Sequence, residues 1–434
     1  MLTGKLQNKI AKPLLILQKK HYITTTTNRK KCTFTVSMDT SAVHQFIFWD
    51  RKPANSGKTL LLVWGMFFYS FIGVAQGLIS QTEVKSFTRT QYEAGAQNWA
   101  IAQDENKRIY IANNEGLLVY NGTNWQLFPV PNRTIVRSLC FGLGGKLYIG
   151  AQDELGYFAP DQVGRLRYTS LKPLLPKQDR GFTDIWQIEV KGKEVFFRTD
   201  AKVFKLVGNQ FTVYPTPSTW LSLHQHQGQI LAHDKQRGLL MYQNQAWQSF
   251  IPKDSLPDNF LVTDLANYRE GTSLVSTVAH GLYLLTQNQL TPFNLQSTQI
   301  DTRQHFTALS VLDQGAFLVG TYFNGIYRIS PQGKVLENIA TQNGLPNNTL
   351  RCLFADAHHN VWAGMDNGLA FFGYNHAIKR INPAVFNNGV GYDVKVLNND
   401  LYFALSTGLW WLPVSPDTDL STLTQAPKTI MNGL

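Results

Sequence analysis

The sequence predicts an all-β protein built from a repeated four-stranded unit. An apolar stretch, a turn and a second apolar stretch recur along the chain, and these segments are rich in Ile, Val, Tyr, Phe and Trp. Their apolar residues alternate or run continuously, which is typical of strands rather than helices. The unit repeats about every 42 residues, the period of a blade of four short strands. We therefore predict a β-propeller.

The unit occurs eight times. Seven copies resemble one another closely and the eighth, 195–206, lacks the glycine of the second strand; the seven are 109–120, 147–158, 230–242, 274–285, 317–329, 361–372 and 401–412. We predict one ring of seven blades, with the remaining unit left over or closing an eighth blade. A single unit cannot bury both faces, whereas stacking in a ring buries them.

Glycines mark two positions of the unit. One lies at a hairpin before or within the second strand, where positive φ is needed; it is Gly116, Gly156, Gly238, Gly281, Gly325, Gly368 or Gly408. The other position ends the first strand of the phrase and is always small, and its glycines are Gly150, Gly320 and Gly364. We expect a neighbouring sheet to approach closely there.

The formal charge of +11 is concentrated at the amino terminus. Residues 1–58 contain eleven Lys or Arg and two acidic residues, Asp39 and Asp50. The remaining chain is nearly neutral, so the sequence gives it no basic face for a nucleic acid. We predict that 1–58 is a basic leader without a core. It is either an over-extended reading frame with the true start at Met38 or a second targeting peptide.

Residues 59–75 form an uncharged apolar run preceded by Arg51, Lys52 and Lys58. This pattern predicts a secretory signal cleaved after Ala75, with an uncleaved membrane anchor as the alternative. We then expect a linker or first strand over 76–96, the propeller over 97–412, and a linker over 413–434 of a truncated chain. The protein is predicted to be exported to the periplasm or the cell exterior.

The sequence contains no recognisable catalytic motif. Residues 54–59 resemble the end of a phosphate-binding loop, but Lys52 stands where that loop needs its first glycine. His224 and His226 would share a strand face, yet a zinc site needs more ligands, so solvated or turn-packed histidines are expected. We predict no metal, no cofactor and no catalytic residue. Cys140 and Cys352 should be free thiols.

Acidic residues also recur just before one strand of the unit, at Asp104, Asp313 and Asp356. Asp side chains close turns by accepting hydrogen bonds from nearby backbone amides. Recurrence at one repeat position favours this role over catalysis.

The innermost strand of each blade approaches the central channel, and its residues differ between units. Aromatic and charged residues together could bind a polar, partly flat ligand such as an oligosaccharide. The rim candidates are Trp99, Arg137, Trp186, Trp220, Asp264, Arg351 and Asp393. The alternative for the tryptophans is packing between blades.

Residues 344–372, GLPNNTLRCLFADAHHNVWAGMDNGLAFF, closely resemble the two-component-regulator propeller repeat. Shared features are Gly-Leu-Pro, an Asn, an apolar pair, an Asp, a Trp before a small residue and Gly, and a final Gly-Leu with an aromatic residue. The resemblance is fair at 97–125 and 306–329 and weak at 184–206. It implies an extracytoplasmic sensor of a hybrid histidine kinase or a helix-turn-helix regulator.

From these observations we predict a ligand-sensing propeller of a two-component-type receptor, without the kinase or DNA-binding output. Ligand would favour one arrangement of the propeller or of a homodimer. The expected partners are a small molecule or oligosaccharide and a second copy, with membrane contact only through 59–75 or a missing carboxyl-terminal span. Two alternatives are a secreted propeller enzyme, either a glycoside hydrolase or a lyase, and a protein-interaction scaffold.

Overall fold

A computed structural model describes residues 22–28, 31–37, 43–49, 80–297, 300, 305–374, 380–381, 388–398, 400–414 and 427–432. The chain divides into two units, 1–75 and 76–434. In the first unit, three antiparallel strands lie in the segment predicted as a leader: Tyr22–Asn28, Lys31–Ser37 and Val43–Trp49. The predicted signal or anchor at 59–75 and the alternative start Met38 lie outside the described residues.

The described residues of the second unit form eight antiparallel sheets of four strands, named here in chain order. Sheet 1 is Asn98–Gln103, Ile109–Asn113, Gly116–Tyr120 and Trp125–Phe128; sheet 2 is Val136–Phe141, Leu147–Ala151, Glu154–Pro160 and Leu166–Ser170. Sheet 3 is Gln187–Lys191, Glu194–Arg198, Lys202–Val207 and Gln210–Pro215; sheet 4 is Trp220–His226, Gln229–Asp234, Gly238–Gln243 and Ala246–Pro252.

Sheets 5 and 6 continue the same order of strands, and sheet 7 takes its fourth strand from before sheet 1. Sheet 5 is Val262–Arg269, Thr272–Thr277, Leu282–Thr286 and Gln289–Phe293; sheet 6 is Phe306–Val311, Phe317–Thr321, Ile326–Ile329 and Val335–Ile339. Sheet 7 is Leu350–Ala355, Asn360–Met365, Leu369–Gly373 and Val84–Phe87. The eighth, or C-terminal, sheet is Gly391–Leu397, Asp400–Leu405, Gly408–Pro413 and Lys428–Asn432.

A short two-stranded pairing and a few helical turns complete the described elements. Ser80–Gln81 pairs with Arg380–Ile381. One α-helical turn is followed by six short 3-10 turns: Arg89–Tyr92, then Leu143–Gly145, Lys172–Leu174, Lys177–Asp179, Lys253–Ser255, Asp313–Gly315 and Thr341–Asn343. No helix in the described residues has the length and apolar content needed to cross a bilayer. The all-β prediction is confirmed.

Sheets 1 to 7 form a closed ring. The first strand of each contacts the first strand of the next, and that of sheet 7 contacts that of sheet 1. Seven hydrophobic clusters within the described chain follow the same circle, one between each neighbouring pair of sheets. The cluster that joins sheet 7 to sheet 1 includes Phe87, Ile111, Trp362 and Leu369. Each sheet therefore buries its faces against its two neighbours.

The ring is closed by residues from both ends of its sequence. The Val84–Phe87 strand precedes sheet 1 in the chain, yet it pairs with Leu369–Gly373 as the outer strand of sheet 7. This strand lies within 76–96, the segment predicted as a linker or first strand. At the other end, Lys428–Asn432 is a strand of the C-terminal sheet, within the segment predicted as a linker.

The glycine predictions are largely confirmed. Gly116, Gly238, Gly281, Gly325, Gly368 and Gly408 all have positive φ. At the small position, a Cβ on Gly364 would lie 2.7 Å from the Asn98 carbonyl oxygen of sheet 1, and one on Gly320 would lie 2.9 Å from Leu350 Cβ of sheet 7. Close approach of the neighbouring sheet thus excludes a side chain at these positions.

Gly156 was assigned to the wrong position. It lies inside the Glu154–Pro160 strand, opposite Ile149. The residue at the hairpin position is Glu154, and the turn before it is made by Gln152 and Asp153, with Asp153 at φ 54°. Gly156 is small for another reason, because a Cβ there would collide with the Thr169 carbonyl oxygen of the paired strand and lie 2.6 Å from Tyr168 Cζ.

Two of the three predicted turn aspartates behave as expected, whereas Asp313 Oδ2 accepts the Tyr374 hydroxyl at 3.0 Å instead of a backbone amide. Asp104 Oδ1 accepts the Arg108 amide at 2.8 Å, and Asp356 Oδ1 accepts the His358 and Asn360 amides at 2.8 and 3.0 Å. The Asp104 and Asp356 carboxylates thus satisfy backbone donors of a tight turn.

Candidate ligand-binding site

A β-bulge recurs at the second residue of the first strand in six of the ring sheets. The extra residue interrupts the ladder and re-aims its side chain at one end of the strand. The bulged residues are Trp99, Arg137, Leu221, Thr263, Thr307 and Arg351. In sheet 3 the equivalent residue is Trp186, which lies directly before the Gln187–Lys191 strand. The Trp186 amide donates to the Arg198 carbonyl. Seven side chains thus occupy one end of the ring.

Four of the seven predicted rim residues occupy these equivalent positions: Trp99, Arg137, Trp186 and Arg351. They belong to sheets 1, 2, 3 and 7 respectively, and these four sheets are consecutive in the ring because sheet 7 contacts sheet 1. Leu221, Thr263 and Thr307 occupy the same position in sheets 4 to 6. The rim is therefore divided into an aromatic and cationic half and a half of smaller, neutral side chains.

Arg137 links the two tryptophans. Its Cζ lies 4.1 Å from the centre of the Trp99 ring and 4.9 Å from that of Trp186. The two rings contact each other edge to face, with centres 6.2 Å apart. Arg137 Nε also donates to Asp184 Oδ1 at 2.8 Å, and both side chains are 12% exposed. Stacking and ion pairing together fix the orientation of the guanidinium group.

Arg351 is held in the same manner on the other side of Trp99. Its Cζ lies 4.7 Å from the Trp99 ring centre. Its Nε and Nη2 donate to the two oxygens of Asp366 at 2.6 and 3.1 Å. This bidentate pair leaves the arginine with one defined geometry.

A chain of amide side chains orients Trp99. The Trp99 Nε1–H donates to Asn114 Oδ1 at 2.8 Å, and Asn114 Nδ2 donates to Gln97 Oε1 at 3.0 Å. Gln97 Nε2 in turn donates to Asp366 Oδ1 at 3.0 Å, the oxygen that also accepts from Arg351. Trp99 is thus fixed both through its edge and through its faces.

Two aromatic residues extend this group beyond the sequence prediction. Tyr322 lies 5.4 Å from Arg351 Cζ, and its ring centre is 4.8 Å from that of Phe323. Phe323 is 64% exposed. Both lie in the hairpin between the second and third strands of sheet 6. The sequence signal that could have identified these residues is a pair of aromatic residues in a predicted hairpin, within Thr321-Tyr-Phe-Asn-Gly325. We call Trp186, Arg137, Trp99, Arg351 and Tyr322 the rim arc.

Trp220 does not belong to the rim. It precedes the bulge of sheet 4 by one residue, is fully buried and packs between sheets 3 and 4. Its ring centre lies 5.2 Å from that of Trp247, and its Nε1–H donates to the Tyr214 carbonyl at 3.2 Å. Packing between sheets, the alternative considered for the tryptophans, describes this residue.

Asp264 follows its bulge by one residue and joins neighbouring sheets. Its Oδ1 accepts the Leu265 amide and its Oδ2 accepts the Leu309 amide of sheet 6, both at 2.8 Å. Burial raises the pKa of Asp264 to about 6, although these two hydrogen bonds favour the charged form. Gln187 of sheet 3 makes an equivalent bond, since its Oε1 accepts the Leu223 amide of sheet 4 at 2.8 Å.

Asp393 has the same local contact but lies outside the ring. Its Oδ1 accepts the Val394 amide at 2.8 Å, on an exposed strand of the C-terminal sheet. It therefore does not join the rim arc.

The sequence did not single out Glu189, which the fold places in a strongly perturbing environment. Burial is the main cause that raises the pKa of Glu189 to about 8, and the negative charge of Asp264 adds to it. Gln225 Nε2 donates to Glu189 Oε2 at 3.2 Å and opposes the shift. The neighbours come from sheets 4 and 5, so no local sequence signal identifies this carboxyl.

The histidines considered as metal ligands are structural. His224 and His226 are each 5% exposed and His233 is 1% exposed, so these histidines are buried within strands and are neither solvated nor turn-packed as expected. His226 Nδ1 lies 2.9 Å from Ser273 Oγ of the next sheet. Within the described residues, no three His, Cys, Asp or Glu side chains are placed to share a metal ion. Cys140 and Cys352 are free thiols, and burial raises the pKa of each to about 12.

Comparison with solved structures identifies the architecture. The chain is similar to the extracellular domain of the putative one-component system BT4673 from B. thetaiotaomicron, at 19% identity and a TM-score of 0.56, over 77% of this chain and 46% of that chain. A second structure, described as the extracellular domain of the putative hybrid two-component system BT4673 from B. thetaiotaomicron, gives 20% identity and a TM-score of 0.54, over 78% and 46%. The chain thus spans about half the length of these structures.

A third similar structure is a streptogramin B lyase, at 12% identity and a TM-score of 0.54, over 68% of this chain and 98% of that chain. No protein-family model matches the sequence, and neither does any curated protein. At these identities the similarity establishes the fold alone. Together with the ring of four-stranded antiparallel sheets, it shows that the chain has the β-propeller fold.

Proposed function

We propose that the propeller is the ligand-sensing domain of an exported two-component-type receptor and that the rim arc binds an oligosaccharide. The observation that carries this proposal is the continuous contact of aromatic rings and guanidinium groups from Trp186 to Tyr322. Sugars stack their apolar faces on aromatic rings and bond their hydroxyl groups to nearby polar side chains.

The charges of the rim arc favour a neutral ligand. Arg137 is paired with Asp184 and Arg351 with Asp366, so the two guanidinium groups and two carboxylates cancel. A polyhydroxylated molecule requires donors and acceptors rather than net charge. The two arginines supply hydrogen-bond donors and the two aspartates supply acceptors around Trp99.

Three further observations support the sensor assignment. Residues 344–372 resemble a repeat of two-component regulators. Two of the similar structures are extracellular domains of putative signalling systems. The basic flank and apolar run that end at residue 75 favour export. Signalling would then follow from a ligand that stabilises one arrangement of the receptor over another.

Calorimetric titration with a panel of neutral oligosaccharides tests the site. Trp186→Ala or Arg351→Ala should weaken binding at least about tenfold, because hydrophobic stacking or a charge-assisted contact is lost. Leu221→Ala is the matched control, since it changes the equivalent bulge position in the other half of the rim. Equal affinity in all three folded variants would exclude the rim arc as the binding site.

A secreted enzyme is the second candidate, favoured by the raised pKa of Glu189 beside the carboxyl of Asp264. A carboxyl that keeps its proton near neutral pH can serve as a general acid. The same titration mixtures, analysed by chromatography after incubation, distinguish the two functions. A sensor returns the oligosaccharide unchanged, whereas an enzyme yields products that Glu189→Gln abolishes.

A further inference from the structure

The end of the ring opposite the rim arc exposes apolar side chains at sheets 2 and 3. In each four-stranded antiparallel sheet, the turn between the first two strands and the turn between the last two lie at the same end. The Tyr322 hairpin of the rim arc joins a second strand to a third, so these turns lie at the other end of the ring. We define the basal patch as these turns of sheets 2 and 3 with their adjoining strand residues, 142–146, 161–167, 191–194 and 207–209.

Three exposed apolar residues belong to the basal patch. Leu143, Val163 and Val207 are 61%, 74% and 40% exposed. Within the described residues of the ring, the other exposed large apolar side chains are Leu174 and Phe323, in connections at the rim-arc end. The corresponding turns of sheets 4 and 5 contain only polar residues and glycine, at 227–228, 244–245, 270–271 and 287–288. A group of exposed apolar side chains is typical of an interaction site.

The basal patch also carries an excess of positive charge. Five of its side chains are basic and two are acidic. Asp161 is already paired with Arg167 at 3.2 Å, and Glu194 is paired at 3.4 Å with the buried Lys205. At sheet 1 the corresponding turn, 104–108, holds two acidic and two basic residues, so its charges cancel. The excess charge of the basal patch is carried by Lys146, Arg165, Lys191 and Lys193.

We propose that the basal patch binds the surface of a bilayer that contains anionic phospholipids. The apolar side chains enter the interfacial region of the bilayer, and the lysine and arginine side chains contact the lipid phosphates. A soluble polyanion satisfies only the charges and leaves Leu143 and Val163 in water, so the combination favours a membrane. This contact adds to the one expected from the sequence, which was limited to 59–75 or a missing carboxyl-terminal span. It does not depend on oligosaccharide binding or on the rim arc.

The basal patch lies far from the place where the chain enters and leaves the ring. Val84–Phe87 and Leu369–Gly373, the first and last ring strands, both belong to sheet 7. Sheet 2 is two places from sheet 7 around the ring, and sheet 3 is three places away, the greatest separation among seven sheets. The segments that precede and follow the ring in the sequence therefore join it on the opposite side. A bilayer bound at the basal patch also leaves the rim arc accessible, because the two lie at opposite ends.

Cosedimentation of the full chain with vesicles tests the binding. The wild-type protein should bind vesicles of phosphatidylglycerol and phosphatidylethanolamine at least about tenfold more tightly than vesicles of phosphatidylcholine. Arg165→Ala and Lys193→Ala should each weaken binding to the anionic vesicles about fivefold. Lys334→Ala is the matched control, since Lys334 is exposed at the corresponding turn of sheet 6. Because 59–75 is common to all these proteins, a difference between them reports the basal patch. Equal affinity in the three variants would overturn the proposal.

A fluorescent probe tests whether the apolar turns enter the bilayer. An environment-sensitive dye on Gln162→Cys, next to Val163, should shift its emission to shorter wavelength when anionic vesicles are added. The same dye on Asn288→Cys, at the corresponding turn of sheet 5, should not shift. Both proteins also carry Cys32→Ser to remove a competing thiol. Addition of Leu143→Ser should reduce the shift at position 162. An unshifted dye at position 162, or a shift that Leu143→Ser leaves unchanged, would indicate a contact through charge alone and would exclude insertion.

Discussion

The guanidinium group of Arg137 lies 4.1 Å from the Trp99 ring centre while its Nε donates to Asp184. Arg137 belongs to sheet 2 and Trp99 to sheet 1, so their contact joins neighbouring sheets at the end of the ring that carries the rim arc. Because Arg137 is only 12% exposed, its charge depends on Asp184 for compensation.

Replacing Arg137 should expose this dependence. We expect Arg137→Ala to lower the free energy of unfolding by about 2–3 kcal/mol, because Asp184 is left largely desolvated without its partner. Arg137→Lys should cost about 1 kcal/mol, since it keeps the charge and loses the planar stack. Urea denaturation measures both changes. The double variant Arg137→Ala/Asp184→Asn should regain part of the loss; if it is as unstable as Arg137→Ala, Asp184 is not the cause.

Gly364 gives a test of the contact between sheets 7 and 1. A Cβ there would lie 2.6 Å from Cys352 Sγ and 2.7 Å from the Asn98 carbonyl oxygen. Gly364→Ala should therefore destabilise the fold by about 1–3 kcal/mol in thermal or urea unfolding. Gly181→Ala is the control, because a Cβ at Gly181 meets no atom within 4 Å and its φ is not positive. Similar stabilities of the two variants would contradict the close approach.

His224 should make the protein sensitive to acid. Burial is the main cause that lowers its pKa to about 3, with the charge of Arg198 adding to the shift. The unfolded chain takes up a proton near pH 6.5, whereas the folded chain does so only near pH 3. The free energy of unfolding should thus fall as the pH drops through this window, by up to about 1.4 kcal/mol per pH unit.

His224→Gln tests this assignment, because glutamine cannot take up the proton. The variant is expected to lose less stability than the wild type between pH 6.5 and 4, whatever its stability at neutral pH. Urea midpoints at several pH values give the comparison. Parallel curves for the two proteins would assign the acid sensitivity to other groups, such as His233, whose pKa burial lowers to about 4.

Glu189 should have the opposite effect on the pH dependence. The unfolded carboxyl loses its proton near pH 4.5, whereas the folded one keeps it until about pH 8. This group therefore reduces the free energy of unfolding as the pH rises from 4.5 to 8. Glu189→Gln should match the wild type near pH 4 and become increasingly more stable at higher pH, by up to about 1.4 kcal/mol per pH unit. A difference that does not change with pH would refute this prediction.

The repeat was readable from the sequence because each unit carries its own local signals. Positive φ at Gly116 and Gly408 and the turn bonds of Asp104 and Asp356 all arise within one unit. Gly156 was misassigned because Leu155-Gly156-Tyr157 resembles the hairpin phrase but lies two residues after the hairpin position, Glu154. In the sequence, a glycine required by close contact with the paired strand looks the same as a glycine required by a positive φ.

The site was partly predictable for the same reason. Trp99, Arg137, Trp186 and Arg351 stood out as unlike residues at similar places in the repeat. Trp220 and Asp264 lie one residue before and after the bulge, and only the strand register separates them from the rim. Tyr322 and Glu189 were missed because their partners come from other sheets, a relationship that composition and periodicity do not contain.

The closure of sheet 7 by Val84–Phe87 also constrains how the molecule can be made. The ring strand that the ribosome delivers first must wait for the last ring strand, Leu369–Gly373, before it finds its hydrogen-bonding partner. Until then, the incomplete ring has an unpaired strand edge at each of its two ends. In a permuted chain with 84–87 placed after residue 373, this long-range strand pairing would become a local hairpin. We expect such a protein to refold faster, because its contacts are closer in sequence.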